Sequence, residues 1–462
     1  MRMNAVVENA KTLAAMLGID EGEAAEKLNA TALITFNRSD HTATLLADMV
    51  AQLLNRTLRR TGTLMDTAED PAVEVVIGDS RPRSSGSRVF VAVSAEGMSV
   101  TFDRREPRVL FPVHRSLLLL TSCYAAAAVL KAVTNDTNWG GYEPVTMTFS
   151  EVLNAEQVLL SERVDLGEAY LAGAGAVGNA FLYTLRYFNV SGRLNVVDPK
   201  LVSPGNLNRC MFFDISAIGH PKATYLCRAA NPFFKLLELV SQDKRLDQVE
   251  AKSAGPWLRR LIVAVDSRRA RRSLQAEIPG EVYDASTTDI REIVLHFNRQ
   301  PTDGECLCCV YKEERNERAR EVHIARMLGV TVEDVQKGLI THDSAAKIHS
   351  VYEYLDQSSL VGTAYDTLFK TLCGQGLLQT DEGRQVLAPF AFVSVLAGAY
   401  LAIELVLRLQ QPRRERLFNY WRASPWSSPV FQLRRYRLAG PGCEFCGSAS
   451  TRQIVSRLWA EH

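Results

Sequence analysis

Two groups of residues in this 462-residue chain have the types and spacing to do chemistry. The first is Gly173-Ala-Gly175-Ala-Val-Gly178, which follows a short apolar run and opens a helical one. Glycines there allow a tight turn and close backbone approach, and the helix start offers unpaired N–H groups to phosphate. Asp198 stands 20 positions past the last glycine, at the end of a strand-like run Leu194–Val197. A carboxylate so placed can accept from a ribose hydroxyl. Dehydrogenases, flavoproteins and methyltransferases share such turns, so by itself this one says nucleotide and nothing narrower. The second group is Cys306-Leu-Cys-Cys309 with Cys443-Glu-Phe-Cys446. Two C-x-x-C pairs supply four thiolates, the set of a closed, structural Zn²⁺ site. Spacing selects Cys306 and Cys309, with Cys308 the spare that could substitute for either.

The elements that must hold these residues follow from periodicity. Residues 1–150 read as a separate N-terminal α/β domain, with helical patterns at Asp20–Leu28, His41–Leu58 and Ser116–Ala132. Strand-like runs lie at Val73–Ile77, Arg88–Val93 and Ser99–Phe102, and a turn at Trp139–Gly141. The loop Gly78-Asp-Ser-Arg-Pro-Arg83 reads as a connection. Beyond it, runs at Leu194–Val197, Leu236–Val240, Arg260–Val265, Gly280–Tyr283 and Ile290–Phe297 alternate with helical patterns, one of them Ala223–Asn231. That alternation predicts a Rossmann-like, mostly parallel sheet, with Gly173, Asp198 and Asp266 all at C-terminal strand ends. Residues 312–372 are charged and helical without a strand candidate, and read as an insertion. The sheet domain therefore comprises 151–311 and 373–462. Pro412–Arg416 reads as a solvated basic linker.

Composition excludes several classes. A net charge of +1 gives no case for nucleic acid or a membrane surface. The uncharged stretches Ser116–Leu130 and Val386–Ile403 read as buried helices of a large α/β domain. The first residues lack the pattern of a signal peptide, and nine cysteines, an odd number, suit a reducing, cytoplasmic compartment better than a disulfide framework.

After Asp198 come Asn206-Leu-Asn-Arg209 and then Gly219-His-Pro-Lys222. This series, with the Pro-Gly-Cys-Glu-Phe-Cys-Gly wording around the second thiol pair, resembles the adenylation family of ThiF, MoeB and the ubiquitin-activating enzymes. The resemblance covers about 165–310 and 370–448. It implies ATP-dependent adenylation of the C-terminal glycine of a ubiquitin-fold protein. Carried over position by position, Gly173, Gly175 and Gly178 form the phosphate loop and Asp198 holds the ribose. Asn206, Arg209 and Lys222 contact the triphosphate, Asp266 holds Mg²⁺, and Cys306, Cys309, Cys443 and Cys446 bind Zn²⁺. Attack of a carboxylate on an α-phosphate sets anion against anion, so a cluster of cations is what the transition state needs.

The resemblance also marks Cys373, in Thr371-Leu-Cys-Gly-Gln-Gly376, as the thiol that takes the activated carboxyl group as a thioester. Cys123, Cys210 and Cys227 read as structural, and Cys210 replaces a residue that is usually Gln. The family's R-x-x-R-Q segment, whose arginine reaches the partner half's ATP, is absent, and Arg163 is a poor substitute. Either the first domain, which resembles a degenerate adenylation half, or another subunit supplies it, or the geometry differs. The reading is thus a compact, bacterial-type activating enzyme working as a homodimer with a ubiquitin-like protein and a conjugating enzyme. A sulfur-carrier or peptide-modifying adenylyltransferase, and a nucleotide-binding scaffold, stay open at this point.

Overall fold

The computed structural model describes residues 2–58, 60–62, 71–102, 112–134, 145–250, 256–287, 292–312, 317–337, 340–363, 365, 368–369, 372, 389–429 and 433–460. The turn expected at 139–141 lies outside them. Two mostly parallel sheets carry the chain. The first contains β1 (Thr31–Thr35), β2 (Arg60–Gly62), β3 (Val73–Ile77), β4 (Ser87–Val93), β5 (Gly97–Thr101) and β6 (Val145–Thr148), in the order β2-β1-β3-β4-β5-β6. The first three pairings are parallel and the last two antiparallel. The run at Val73–Ile77 is buried at every position, as befits a central parallel strand.

The second sheet contains β7 (Val164–Ala172), β8 (Val190–Val197), β9 (Leu236–Gln242), β10 (Arg260–Val263), β11 (Glu281–Ser286), β12 (Ile293–Arg299), β13 (Tyr420–Ala423) and β14 (Arg434–Arg435). Their order is β14-β13-β12-β11-β10-β7-β8-β9. Strands β9, β8, β7, β10 and β11 run parallel, and the remaining three continue antiparallel.

Two apolar helices, Arg115–Thr134 and Ala391–Gln410, are long enough to cross a membrane, yet 83% and 94% of their apolar windows are buried inside the protein. They pack on each other, and Tyr124 and Tyr400 share a buried hydroxyl–hydroxyl hydrogen bond of 2.8 Å. One apolar core therefore runs through both sheets. Gly398 explains the small residues of the second helix: a Cβ there would meet Ala180 and Phe181 at 2.5–2.6 Å. Its absence lets the helix lie flush against Ala176–Leu185, the helix that begins at the glycine turn.

In the basic stretch Pro412–Arg416, Pro412, Arg413 and Arg416 are exposed, as expected of a solvated linker, and Arg414 departs from it. Arg414 is buried and pairs with Glu404 at 2.7 Å, while Arg408 reaches the same carboxylate at 3.1 Å. Arg414 also donates to Asn154 O at 3.0 Å and to Leu153 O, tying the helix end to the segment that joins the two sheets. Opposite charges ten residues apart in sequence make this burial tolerable.

The insertion folds as helices Glu317–Leu328, Val332–Gln336, His342–Val351 and Gln357–Leu360 around its own apolar cluster, which includes Ile324, Leu328, Ile348, Leu360 and Leu372. No strand occurs among its described residues.

Candidate functional site

Three neighbouring parallel strands bring the site together. Ala172 lies in register with Val263 on one side and Val197 on the other. Gly173 and Asp198 follow their strand ends directly and Asp266 lies three residues past the end of β10, where open α/β sheets bind ligands. Two of the three glycines are explained by packing. Gly173 adopts φ +103°, and a Cβ on it would stand 2.7 Å from Ala264 O. A Cβ on Gly178 would stand 2.0 Å from Gly173 O. Gly175 is different: a Cβ there would meet nothing within 4 Å among the described residues, so its smallness serves no contact with them. It caps the helix Ala176–Leu185 with bare backbone, which suits close approach by a phosphate.

Asp198 braces this turn. Its buried carboxylate accepts from Ala174 N and from Lys200 N, both at 2.8 Å. The ribose role expected for it would use remaining lone pairs. Lys200, which sequence reasoning passed over, reaches Asp266 at 3.3 Å and so links the ends of β8 and β10. Burial would lower its ammonium, but Asp266 and Asp198 outweigh that and raise it. Enclosure by the site pushes the Asp266 carboxyl up, and Lys200 and Lys222 overcome this, holding it well below the usual carboxylate range. The side chain is nonetheless 55% exposed, so an ionised oxygen faces outward, as a hard cation such as Mg²⁺ requires.

Lys222 arrives through an isolated bridge, Leu201 with Pro221, and through its own N–H on Lys200 O at 2.9 Å. It is buried at 8% exposure, yet its ammonium makes no hydrogen bond or ion pair with a described residue. Burial drives its pKa down, opposed by Asp198. A buried, unpaired cation is costly unless an anion joins it. Arg209 donates to Gly205 O at 2.7 Å and Asn208 Oδ1 at 2.8 Å, while Asn206 Oδ1 accepts from Ser203 N at 2.9 Å. Both shape the loop beside the cluster.

That loop also rests on the first domain. Arg56 donates to Met211 O at 3.1 Å, and Asn208 donates to Asn9 Oδ1 at 3.1 Å. Burial raises the Cys210 thiol, and Arg209, Lys222 and Arg56 around it pull it back. No local signal marks Arg56 or Asn9 for this role, since the loop residues they contact lie more than 150 residues away.

The four thiols expected to act together do meet. Cys306 Sγ lies 3.9, 3.6 and 3.8 Å from those of Cys309, Cys443 and Cys446, and Cys309 lies 3.3 Å from Cys446. A tetrahedron of Zn–S bonds near 2.3 Å has edges of about 3.75 Å, so the residues fit Zn²⁺. Gly440 N donates to Cys309 Sγ at 3.3 Å, the kind of outer contact that steadies a thiolate ligand. Cys308 points elsewhere, with Arg272 O at 3.9 Å. Cys373 lies outside the described residues; its neighbour Leu372 is fully buried in the core of the helical insertion.

Fold and site together define an α/β protein with lysine and arginine side chains gathered near a glycine turn at the strand ends. The ThiF family pattern matches residues 152–445, and that of an E1 N-terminal domain matches 2–152. The chain belongs to the ThiF family of adenylating enzymes, in keeping with the resemblance seen in its motifs. An uncharacterized Sinorhizobium fredii protein, y4jF, is 31% identical over 360 residues, covering 72% of this chain and 67% of that one. Two crystal structures of E. coli MccB, one with succinimide and one with AMPCPP and selenomethionine MccA, align at 14% identity. They cover 78% of this chain and 98% of theirs, with TM-scores of 0.38 and 0.37.

Proposed function

We propose that this protein activates the C-terminal glycine of a ubiquitin-like protein by ATP-dependent adenylation. The glycine carboxylate attacks the α-phosphorus, an O–P bond forms, and the bond to the bridging oxygen breaks as pyrophosphate leaves. The observation that carries this reading is Lys222, a side chain only 8% exposed whose ammonium makes no hydrogen bond or ion pair with a described residue and lies in the field of Lys200 and Asp266. Lys222 and Lys200 would neutralise the triphosphate, and Arg209 with Asn206 would approach it from the adjoining loop. Asp266 would hold Mg²⁺, which supplies further charge neutralisation on phosphate oxygens. Cys306, Cys309, Cys443 and Cys446 would bind Zn²⁺ as a closed structural staple without a step of its own.

Cys373 would then accept the acyl group: the thiolate attacks the acyl-adenylate carbonyl, AMP leaves, and a thioester remains for transfer to a conjugating enzyme. The buried Leu372 supports this by anchoring the segment that leads to the thiol. The first domain would serve as a degenerate adenylation half, and the working unit would be a homodimer, which light scattering tests. Partner-dependent ATP–pyrophosphate exchange is the decisive assay for adenylation. Its absence with every glycine-ended ubiquitin-like protein tried would overturn the reading. A reductant-sensitive adduct that survives Cys373→Ala would remove the thioester step alone.

A further inference from the structure

The first domain carries a pocket that the adenylation reading does not use. It lies at the C-terminal ends of β1 and β3, two adjacent parallel strands, and has a cavity volume of about 470 Å³. Its walls include Thr35, Asn37, Arg38, Ser80, Arg81 and Arg83. The loop after β3 is held by Glu74, a fully buried carboxylate at the floor. Glu74 accepts from Thr35 Oγ1 at 2.5 Å, Arg83 N at 2.8 Å, Ser84 N at 2.9 Å and Ser84 Oγ at 2.8 Å. Its charge is thereby met from within the protein, and the three guanidinium groups are left over. Arg38, Arg81 and Arg83 are exposed, and none makes an ion pair or side-chain hydrogen bond with a described residue. Ser80 Oγ is buried in the same wall with no hydrogen-bond partner among the described residues.

The place matches that of the glycine turn in the second sheet: the first strand-to-helix turn, beside the neighbouring strand end. The chemistry differs. Asp40 accepts from Ala43 N at 2.9 Å, so the helix His41–Thr57 is capped from inside and offers that amide to no ligand. Recognition here falls to side chains.

We propose that this pocket binds a small phosphate ester, up to the size of a nucleotide. Three guanidinium forks and a hydroxyl exceed what one carboxylate can use, whereas a phosphate brings nearly two charges and three acceptor oxygens. The volume is in the range of small-molecule sites.

Isothermal titration of the full chain with inorganic phosphate, AMP and citrate tests this, with Lys222→Met carried in every chain titrated so that the adenylation site does not contribute. Phosphate or AMP should bind the chain that keeps both arginines, and the combined Arg38→Ala, Arg83→Ala variant should bind at least about ten-fold more weakly. Both arginines are on the surface, and circular dichroism should show the variant folded. The Lys replacements at both positions should restore part of the loss, because charge returns without the fork. ATP–pyrophosphate exchange, measured with Lys222 in place, should be unchanged in the Ala variant, which separates this site from the adenylation site. Equal binding with and without the two arginines would overturn the proposal, as would citrate displacing phosphate with equal strength. AMP binding well above inorganic phosphate would identify a nucleotide as the natural source.

Discussion

Gly362, in the left-handed region at φ +77°, lies against Pro199, and a Cβ added to it would stand 2.9 Å from the proline ring. Pro199 separates Asp198, which braces the glycine turn, from Lys200, which pairs with Asp266. The helical insertion thus leans directly on the candidate adenylation site. A second contact, Arg269 with Glu321, fixes it from the helix Arg268–Ala276.

Gly362→Ala should therefore act on chemistry as well as stability. The left-handed backbone alone costs about 1 kcal/mol with a side chain. Displacing Pro199 by a fraction of an ångström should lower ATP–pyrophosphate exchange by about ten-fold or more. Gly329→Ala is the control: φ is +68°, but the added Cβ would meet Val351 within the insertion. It should lower the melting temperature while leaving exchange within a few-fold. Equal exchange in the two variants would show that the Pro199 contact transmits nothing.

Lys222→Met should move stability and activity in opposite directions. Removing an ammonium that is desolvated and pairs with no described residue should stabilise the ligand-free chain, by about 1 kcal/mol or more in urea denaturation. The same change should lower ATP–pyrophosphate exchange by about two orders of magnitude. A destabilised Lys222→Met would mean that the ammonium is satisfied without ligand.

The thiol cluster predicts a metal stoichiometry. Protein purified without chelator should carry one zinc per chain by mass spectrometric metal analysis, and Cys443→Ser should lose it. Cys308→Ser should retain it, because that sulfur faces Arg272 O and is not one of the four whose sulfurs come together. Zinc removal should lower the melting temperature, since binding energy at such a site is folding energy. Full zinc content in Cys443→Ser would exclude this ligand set.

Much of the scaffold was legible because its signals are local. The run at Val73–Ile77 and the helix from His41 appear where periodicity places them, and the glycines mark their own turn. The strand Thr31–Thr35 was missed because five residues bounded by threonines carry little pattern. No motif marks Lys200; only the bridge between Leu201 and Pro221 brings it beside Lys222. Arg414 sat in a charge run that normally means solvent, and its buried partner Glu404 declares itself only once the helix turns back on Leu153. The contacts of Arg56 and Asn9 with the 207–211 loop join residues too distant for any motif to record.

His114 gives the interface between the first domain and the second sheet a pH dependence. Its ring lies 4.8 Å from that of Phe188, and Nδ1 is 2.8 Å from Ser116 Oγ. Burial lowers its pKa from 6.5 to about 4, opposed by a hydrogen bond with the Tyr187 backbone and reinforced by Arg115. The unfolded chain therefore takes up this proton first as pH falls. His114's contribution is complete above about pH 6.5 and declines toward pH 4, by at most about 3 kcal/mol at 1.36 kcal/mol per unit. His296, also lowered to about 4 by burial, titrates in the same window, so the difference between wild type and variant is what isolates His114. In urea denaturation at pH 7.5, 6 and 5, the wild type should lose stability more steeply than His114→Gln. Parallel pH profiles would mean that the imidazole is solvated or charged at this interface.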